Sequence, residues 1–212
     1  MILHPSQFDF GRPFDCVADL FEAAQNGTGG GGSIGADPDG RGILVGPRTP
    51  SSGNASAVVQ REYLVTPASG KRILIASRVF LSGASGLDFL FGVWSPDTNP
   101  FSGEPDEMAV IKKASGGLSM VGRTVSDASG SETSLGFSFV NETFIDICVI
   151  LHETSAVEFL VARNDNTANG TSFSLVKTSN ISNEAMRPSF AVQTASSGFG
   201  VIRSMYVHEE EF

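Results

Sequence analysis

One loop of the sequence carries the side-chain types with which proteins bind sugars. Trp94, Asp97 and Asn99 lie close together in the stretch VWSPDTNP. An aromatic ring can stack on the face of a sugar, while carboxylate and amide groups hydrogen-bond its hydroxyls. The other interpretation is that Trp94 ends a strand and belongs to the core. The sequence leaves both interpretations open.

A glycine-rich tract precedes the apolar part of the chain. Glycines are concentrated in residues 26–42, and Gly27, Gly29 and Gly32 satisfy the pattern G-x-G-x-x-G. A dinucleotide site needs a strand before this pattern and a helix after it, because the helix N-terminus holds the pyrophosphate. The segment SIGADPDGRG follows instead, and no lysine occurs before Lys71. We therefore interpret the tract as a flexible joint.

Patterns for metal binding and catalysis are incomplete. NDNTANG (164–170) resembles a calcium loop, but Val176 stands where the bidentate glutamate would be, which favours a hairpin turn. No serine lies in a G-x-S-x-G elbow, and no pair of acids alternates along one strand. The histidines are scattered: His4, His152 and His208. We predict no catalytic activity, no cofactor and no tightly bound metal.

Charge argues against two classes of partner. The formal net charge is −9, and no window of the sequence holds a basic cluster. Such a chain is not attracted to nucleic acid or to an anionic membrane surface. No stretch approaches the roughly 20 apolar residues of a membrane span. We predict neither a nucleic-acid nor a membrane partner.

The cysteines and the N-terminus indicate where the chain is assembled. Cys16 and Cys148 are far apart in the sequence, and we interpret them as reduced thiols, although a disulfide between them stays open. The start MILHPSQFDF has no basic n-region and no long apolar h-region, so no secretory signal is predicted. Both observations favour assembly in a cytoplasm.

Short β-rich runs recur from residue 43 to the end, at intervals of roughly 8 to 15 residues. Examples are KRILIASRVFL (71–81), TFIDICVILH (143–152) and GVIRSMYVH (200–208). The spacing predicts an all-β, two-sheet antiparallel β-sandwich or jelly roll over 43–212, with 1–42 as an N-terminal arm.

Alternation within two of these runs predicts which side chains face the core. In the run 143–152, one face carries only Ile, Val and Leu, and we expect it to be buried; its members are Ile145, Ile147, Val149 and Leu151. The opposite face is mixed and predicted to be half covered; its members are Phe144, Asp146, Cys148 and Ile150. The last run, 200–208, has no clean polar face, which suggests that a second sheet or a neighbouring subunit covers it.

The arm carries apolar side chains that need a surface to pack against. Residues 14–24 have helical spacing, although extended structure around Phe8 and Phe10 is equally open. The first 25 residues are too few to hold a core of their own. We therefore predict that the arm reaches a neighbouring protein through its large apolar residues: Phe8, Phe10, Phe14, Leu20 and Phe21.

Residues 71–212 resemble a family of tailed-phage virion structural proteins with a concanavalin-like jelly roll. The resemblance rests on the order of an arginine-containing strand, FLFGVWSPDTNP, DEMAVIKK, an aromatic-led hairpin and the strand PSFAVQT. The last strand reads SMYV where the family has an Asp-Tyr pair. The hairpin opens on Phe144 rather than tryptophan.

The resemblance implies a non-enzymatic capsid decoration protein on the outer surface of a virion. Its partner would be the major capsid protein, and family analogy implies a homotrimer. The alternative is a carbohydrate-binding module on a phage tail or fibre, with Trp94, Asp97 and Asn99 as sugar contacts. An enzyme that assembles an acid pair from separate strands is a third possibility.

Overall fold

The computed structural model describes most of the chain beyond residue 20. The described ranges are 21–27, 33–36, 39–40, 42–46, 55–83, 86–97, 99–113, 117–139, 141–163, 172–194 and 198–212. Their regular secondary structure consists of fourteen β-strands. Among these residues no helix is long and apolar enough to cross a membrane.

The strands form two seven-stranded sheets in which every pairing is antiparallel. In spatial order, the first sheet contains β1 (Phe21–Gly27), β4 (Ala55–Arg61), β13 (Arg187–Thr194), β6 (Leu87–Trp94), β7 (Met108–Lys113), β8 (Ser119–Ser126) and β9 (Ser129–Ser138). The second contains β12 (Ser172–Lys177), β11 (Ala156–Arg163), β10 (Phe144–His152), β5 (Lys71–Ser82), β14 (Phe199–Glu211), β3 (Ile43–Gly46) and β2 (Ser33–Ala36). The predicted two-sheet antiparallel β-sandwich is confirmed.

The main core lies between the sheets and is built from alternating strand residues. In β10, Ile145, Ile147, Val149 and Leu151 all belong to it, as their spacing predicted. On the opposite face of β10, Asp146, Cys148 and Ile150 are also buried, and Phe144 is partly exposed. Sheet strands with both faces shielded read as nearly continuous apolar runs, and FIDICVILH is such a run.

A β-bulge explains why the last strand has no clean polar face. The register of β14 against β5 shifts between Ile202 and Met205. Ile202 and Met205 both reach the main core, although strict alternation would place them on opposite faces. Tyr206, 44% exposed, then points outward. The mixed pattern thus follows from the bulge and requires no covering subunit.

Part of the predicted arm belongs to the sheets. β1 pairs along its whole length with β4, and β2 pairs with β3. The helical interpretation of residues 14–24 is therefore wrong for residues 21–24, which are extended. Phe21 is the first residue of β1, while Phe8, Phe10, Phe14 and Leu20 lie outside the described residues. The division into an arm and a sandwich stays a prediction for residues 1–20.

Cys148 is a free and fully buried thiol on β10. Burial, followed by the nearby Glu158 carboxylate, raises the pKa of this thiol well above its usual range. Because the thiolate is the reactive form, Cys148 is a poor nucleophile. Cys16, the other cysteine of the sequence, lies outside the described residues.

Candidate functional site

The loop that carries the predicted sugar-binding residues connects β6 to β7, and we call residues 95–107 the flap. Trp94 is the last residue of β6 and is fully buried. Its indole Nε1 donates a hydrogen bond to the carbonyl oxygen of Asp97, at 3.2 Å. The ring therefore supports the flap from below and offers no face to a ligand. The core interpretation of Trp94 is correct, and its proposed role in stacking is wrong.

Local hydrogen bonds give the flap its shape. The backbone N–H of Asn99 donates to Oδ1 of Asp97 at 2.7 Å, a turn that short Asp side chains favour. The N–H of Ser102 donates to the carbonyl of Asn99 at 3.0 Å. At the base, the N–H of Ser95 donates to the carbonyl of Glu107 at 2.9 Å. These bonds fold the flap back on itself rather than letting it extend from the sandwich.

Phe101 holds the flap against the outer face of the first sheet. It is partly exposed, and it packs against a second apolar cluster that alternation turns away from the main core. The cluster comprises Val58, Leu90, Trp94, Met108, Val110, Val125 and Ala191. The outer face of an antiparallel sheet is often polar, so this apolar patch is the surface on which the flap can rest.

A chain of ion pairs fixes the outer end of the flap. Arg123 on β8 donates from Nε and Nη2 to the two carboxylate oxygens of Glu104. Oε2 of Glu132 on β9 then lies 3.8 Å from Nη1 of Arg123 and 3.3 Å from Nζ of Lys112. The hydrogen bond to Glu104 raises the pKa of Arg123. The two carboxylates are 41% and 37% exposed, so solvent screens these pairs, and the main effect of the network is to orient the Glu104 carboxylate.

A pocket of about 350 Å³ opens between the flap and the sheet, and we call it the Phe101 pocket. Phe101, Leu90 and Met108 supply apolar surface, and Asp88, Lys112 and Lys113 supply charge. The Lys113 side chain is 3% exposed, and its Nζ lies 3.6 Å from Oδ1 of Asp88. An apolar wall with a few fixed polar groups is the usual composition of a small-molecule site.

A second recess of about 450 Å³ lies within the flap itself, and we call it the loop hollow. Its polar lining includes Asp97, Asn99, Ser102 and Asp106. Glu104 lines both this hollow and the Phe101 pocket. The structure thus places the predicted Asp97 and Asn99 at a recess, while the aromatic surface comes from Phe101 in the neighbouring pocket.

In the part of the chain that the structure describes, the histidines lie apart from one another. Nε2 of His152 lies 3.1 Å from Oε2 of Glu158, and His208 stacks on Tyr206. Within the described ranges, no group of three or more His, Cys, Asp or Glu side chains is placed to hold a metal ion. His4 and the NDNTANG stretch (164–170) lie outside those ranges.

Comparisons with known proteins define the class of fold. No protein-family model matches the chain, and no curated protein matches it. Among solved structures, it resembles a Lotus tetragonolobus seed lectin, with a TM-score of 0.63 and 12% identity, over 95% of this chain and 96% of that one. It also resembles lectin II from Ulex europaeus, with a TM-score of 0.61 and 10% identity, over 91% of this chain and 93% of that one. A third similar structure is a carbohydrate-binding module from Bacillus subtilis, with a TM-score of 0.54 and 7% identity, over 90% of this chain and 97% of that one. The chain therefore has a legume-lectin-like, concanavalin-type β-sandwich fold.

Proposed function

We propose that the protein is a non-enzymatic carbohydrate-binding protein and that its ligand contacts the Phe101 pocket. The observation that carries this proposal is a partly exposed aromatic ring in the lining of a pocket that also contains charged side chains, among them Asp88 and Lys112. Sugars have one apolar face and a rim of hydroxyls. A ring therefore suits the face, and Asp88 and Lys112 suit the hydroxyls.

The kinds of proteins that share the fold support this class of function. The similar solved structures include lectins and a carbohydrate-binding module. Fold alone does not specify function, so the proposal depends on the pocket.

The test is to remove the ring while keeping its apolar contact with the sheet. Phe101→Leu keeps an apolar side chain on the second cluster but lacks a flat face for stacking. We expect glycan affinity to fall about fivefold, since aromatic contacts of this kind contribute on the order of 1 kcal/mol. Binding is measured first on a glycan array and then by calorimetry with the glycans that the array identifies.

Val176→Ala is the matched control, because Val176 is an apolar side chain that is 55% exposed on β12 of the other sheet. This variant should bind as the unaltered protein does. Full glycan affinity in Phe101→Leu would contradict the proposed site. Absence of binding across the array would contradict the proposed function.

A second candidate function is that of a capsid decoration protein of a tailed phage, with the major capsid protein as partner and a homotrimer as its assembly state. Support comes from the sequence resemblance, whose most specific parts are PSFAVQT, which lies in β13, and the aromatic-led hairpin, which forms the paired strands β10 and β11. The two candidates are compatible, because a virion surface protein can also bind host glycans.

Deletion of residues 1–20 tests the second candidate. The deletion spares β1, so the sandwich should stay folded while losing its attachment to the shell through the arm. The measurement is cosedimentation with capsids of the virus that encodes the chain, and light scattering reports the assembly state. Equal decoration by the truncated and full-length chains would show that the arm makes no shell contact.

A further inference from the structure

We infer that the ligand is an uncharged oligosaccharide that lies across the flap, with one sugar unit in the Phe101 pocket and another in the loop hollow. This inference rests on the proposed function and specifies its ligand. The proposed function involves only the Phe101 pocket, whereas this inference also gives the loop hollow a role in binding.

The first argument is adjacency. Glu104 lines both recesses, so the two recesses meet at this residue. Arg123 holds both oxygens of that carboxylate from the sheet side, which keeps Glu104 in one orientation. The Glu104 side chain is still 41% exposed. Its remaining lone pairs can accept hydrogen bonds from a ligand that passes over it.

The second argument is that the recesses differ in chemistry in a complementary way. The Phe101 pocket offers an apolar surface formed by Phe101, Leu90 and Met108. The loop hollow offers hydroxyl, amide and carboxylate groups. Within the described part of the chain, the side-chain amide of Asn99 makes no hydrogen bond, so its donors and acceptor are available. One unit would thus be held by stacking and the next by hydrogen bonds.

The third argument is size. Recesses of about 350 and 450 Å³ each fall near the lower limit of ligand sites, which span roughly 300–1,000 Å³. The two recesses are neighbours, since Glu104 lines both. A ligand that fills both must be extended and have more than one ring.

Charge selects against acidic sugars. Around the Phe101 pocket, Asp88 pairs with Lys113, and Glu104 pairs with Arg123. The third cation of this region, Lys112, pairs with Glu132. Each of these cations therefore faces a carboxylate, and the pocket has no excess of positive charge. In the loop hollow, no ion pair to Asp97 or Asp106 occurs among the described residues. A sulfated or carboxylated unit there would meet two carboxylates and be repelled. The favoured units are therefore uncharged.

The test compares one sugar unit with two. Calorimetry is done with methyl glycosides of glucose, mannose and galactose, and with maltose, cellobiose, mannobiose and lactose. We expect the best disaccharide to bind about tenfold more tightly than its methyl glycoside, since a second set of hydrogen bonds is worth on the order of 1.4 kcal/mol. In Asn99→Ala, that ratio should fall towards one. The control Asn183→Ala alters an exposed amide in the loop 178–185 and should keep the full ratio.

Each outcome decides between the claims. Equal affinity for a disaccharide and its methyl glycoside would overturn the inference while leaving the proposed function intact. Retention of the full ratio in Asn99→Ala would exclude the loop hollow as the second subsite. Tighter binding of sulfated disaccharides than of their uncharged counterparts would overturn the ligand class. Failure of every sugar to bind would overturn the proposed function and, with it, the inference.

Discussion

Replacement of Gly92 by alanine is expected to destabilise the sandwich by about 3 kcal/mol or more, or to prevent folding altogether. Gly92 lies within β6, between the strands β13 and β7, with φ at +150°, a conformation that residues with a side chain rarely adopt. An added Cβ would lie inside contact distance of the carbonyl oxygen of Ala109 and 2.9 Å from the Cα of Val110. Both are backbone atoms of β7, so relief requires the two strands to separate. Urea unfolding followed by circular dichroism measures the loss.

Gly35→Ala is the matched control for this prediction. Gly35 also lies in a β-strand, but an added Cβ there meets nothing within 4 Å. We expect its stability to change by no more than about 0.5 kcal/mol. If Gly92→Ala unfolds at the same urea concentration as Gly35→Ala, the close approach of β6 and β7 is wrong. The flap would be misplaced as well, because these two strands hold its ends.

The sandwich could be predicted because its strands bury residues with a period of two. The inward residues of β10 illustrate this, since alternation in a half-buried strand is a local property of the sequence. β1 could not be predicted in the same way. Its sequence FEAAQNG is rich in residues that disfavour strands. Its extended form comes from antiparallel pairing with the distant β4, which runs from Phe21 opposite Arg61 to Gly27 opposite Ala55.

The candidate site could be predicted only in part, because its walls come from segments that are distant in sequence. The sequence pointed to the loop that lines the candidate site and to two of its polar residues, Asp97 and Asn99. It assigned the stacking role to Trp94, which is buried, rather than to Phe101, which follows two residues after Asn99 in the same loop. The presence of a second aromatic residue, Phe101, in the same loop was the sequence signal for this alternative. The contribution of Arg123 had no local signal, since it depends on how β8 is placed beside β7.

Arg78→Ala is expected to destabilise the protein by roughly 3 kcal/mol, because it leaves a buried carboxylate without its partner. Arg78 on β5 lies opposite Asp146 on β10 and donates to both carboxylate oxygens, from Nε at 2.7 Å and from Nη2 at 3.1 Å. The Asp146 side chain is fully buried, whereas that of Arg78 is 20% exposed. This partial exposure places the expected cost at the lower end of the range for buried pairs.

Two further variants distinguish the loss of a partner from the loss of packing. The double variant Arg78→Met with Asp146→Leu removes both charges and fills their space, so it should recover most of the lost stability. Arg72→Ala is the matched control on the same strand. Arg72 pairs with Glu210 where both side chains are substantially exposed, and its loss should cost less than about 1 kcal/mol. Chemical denaturation of all three variants gives the comparison.

If Arg78→Ala costs no more than Arg72→Ala, water reaches Asp146 and the carboxylate is not buried. If the double variant is no more stable than Arg78→Ala, an unpaired buried charge is not the cause of the loss.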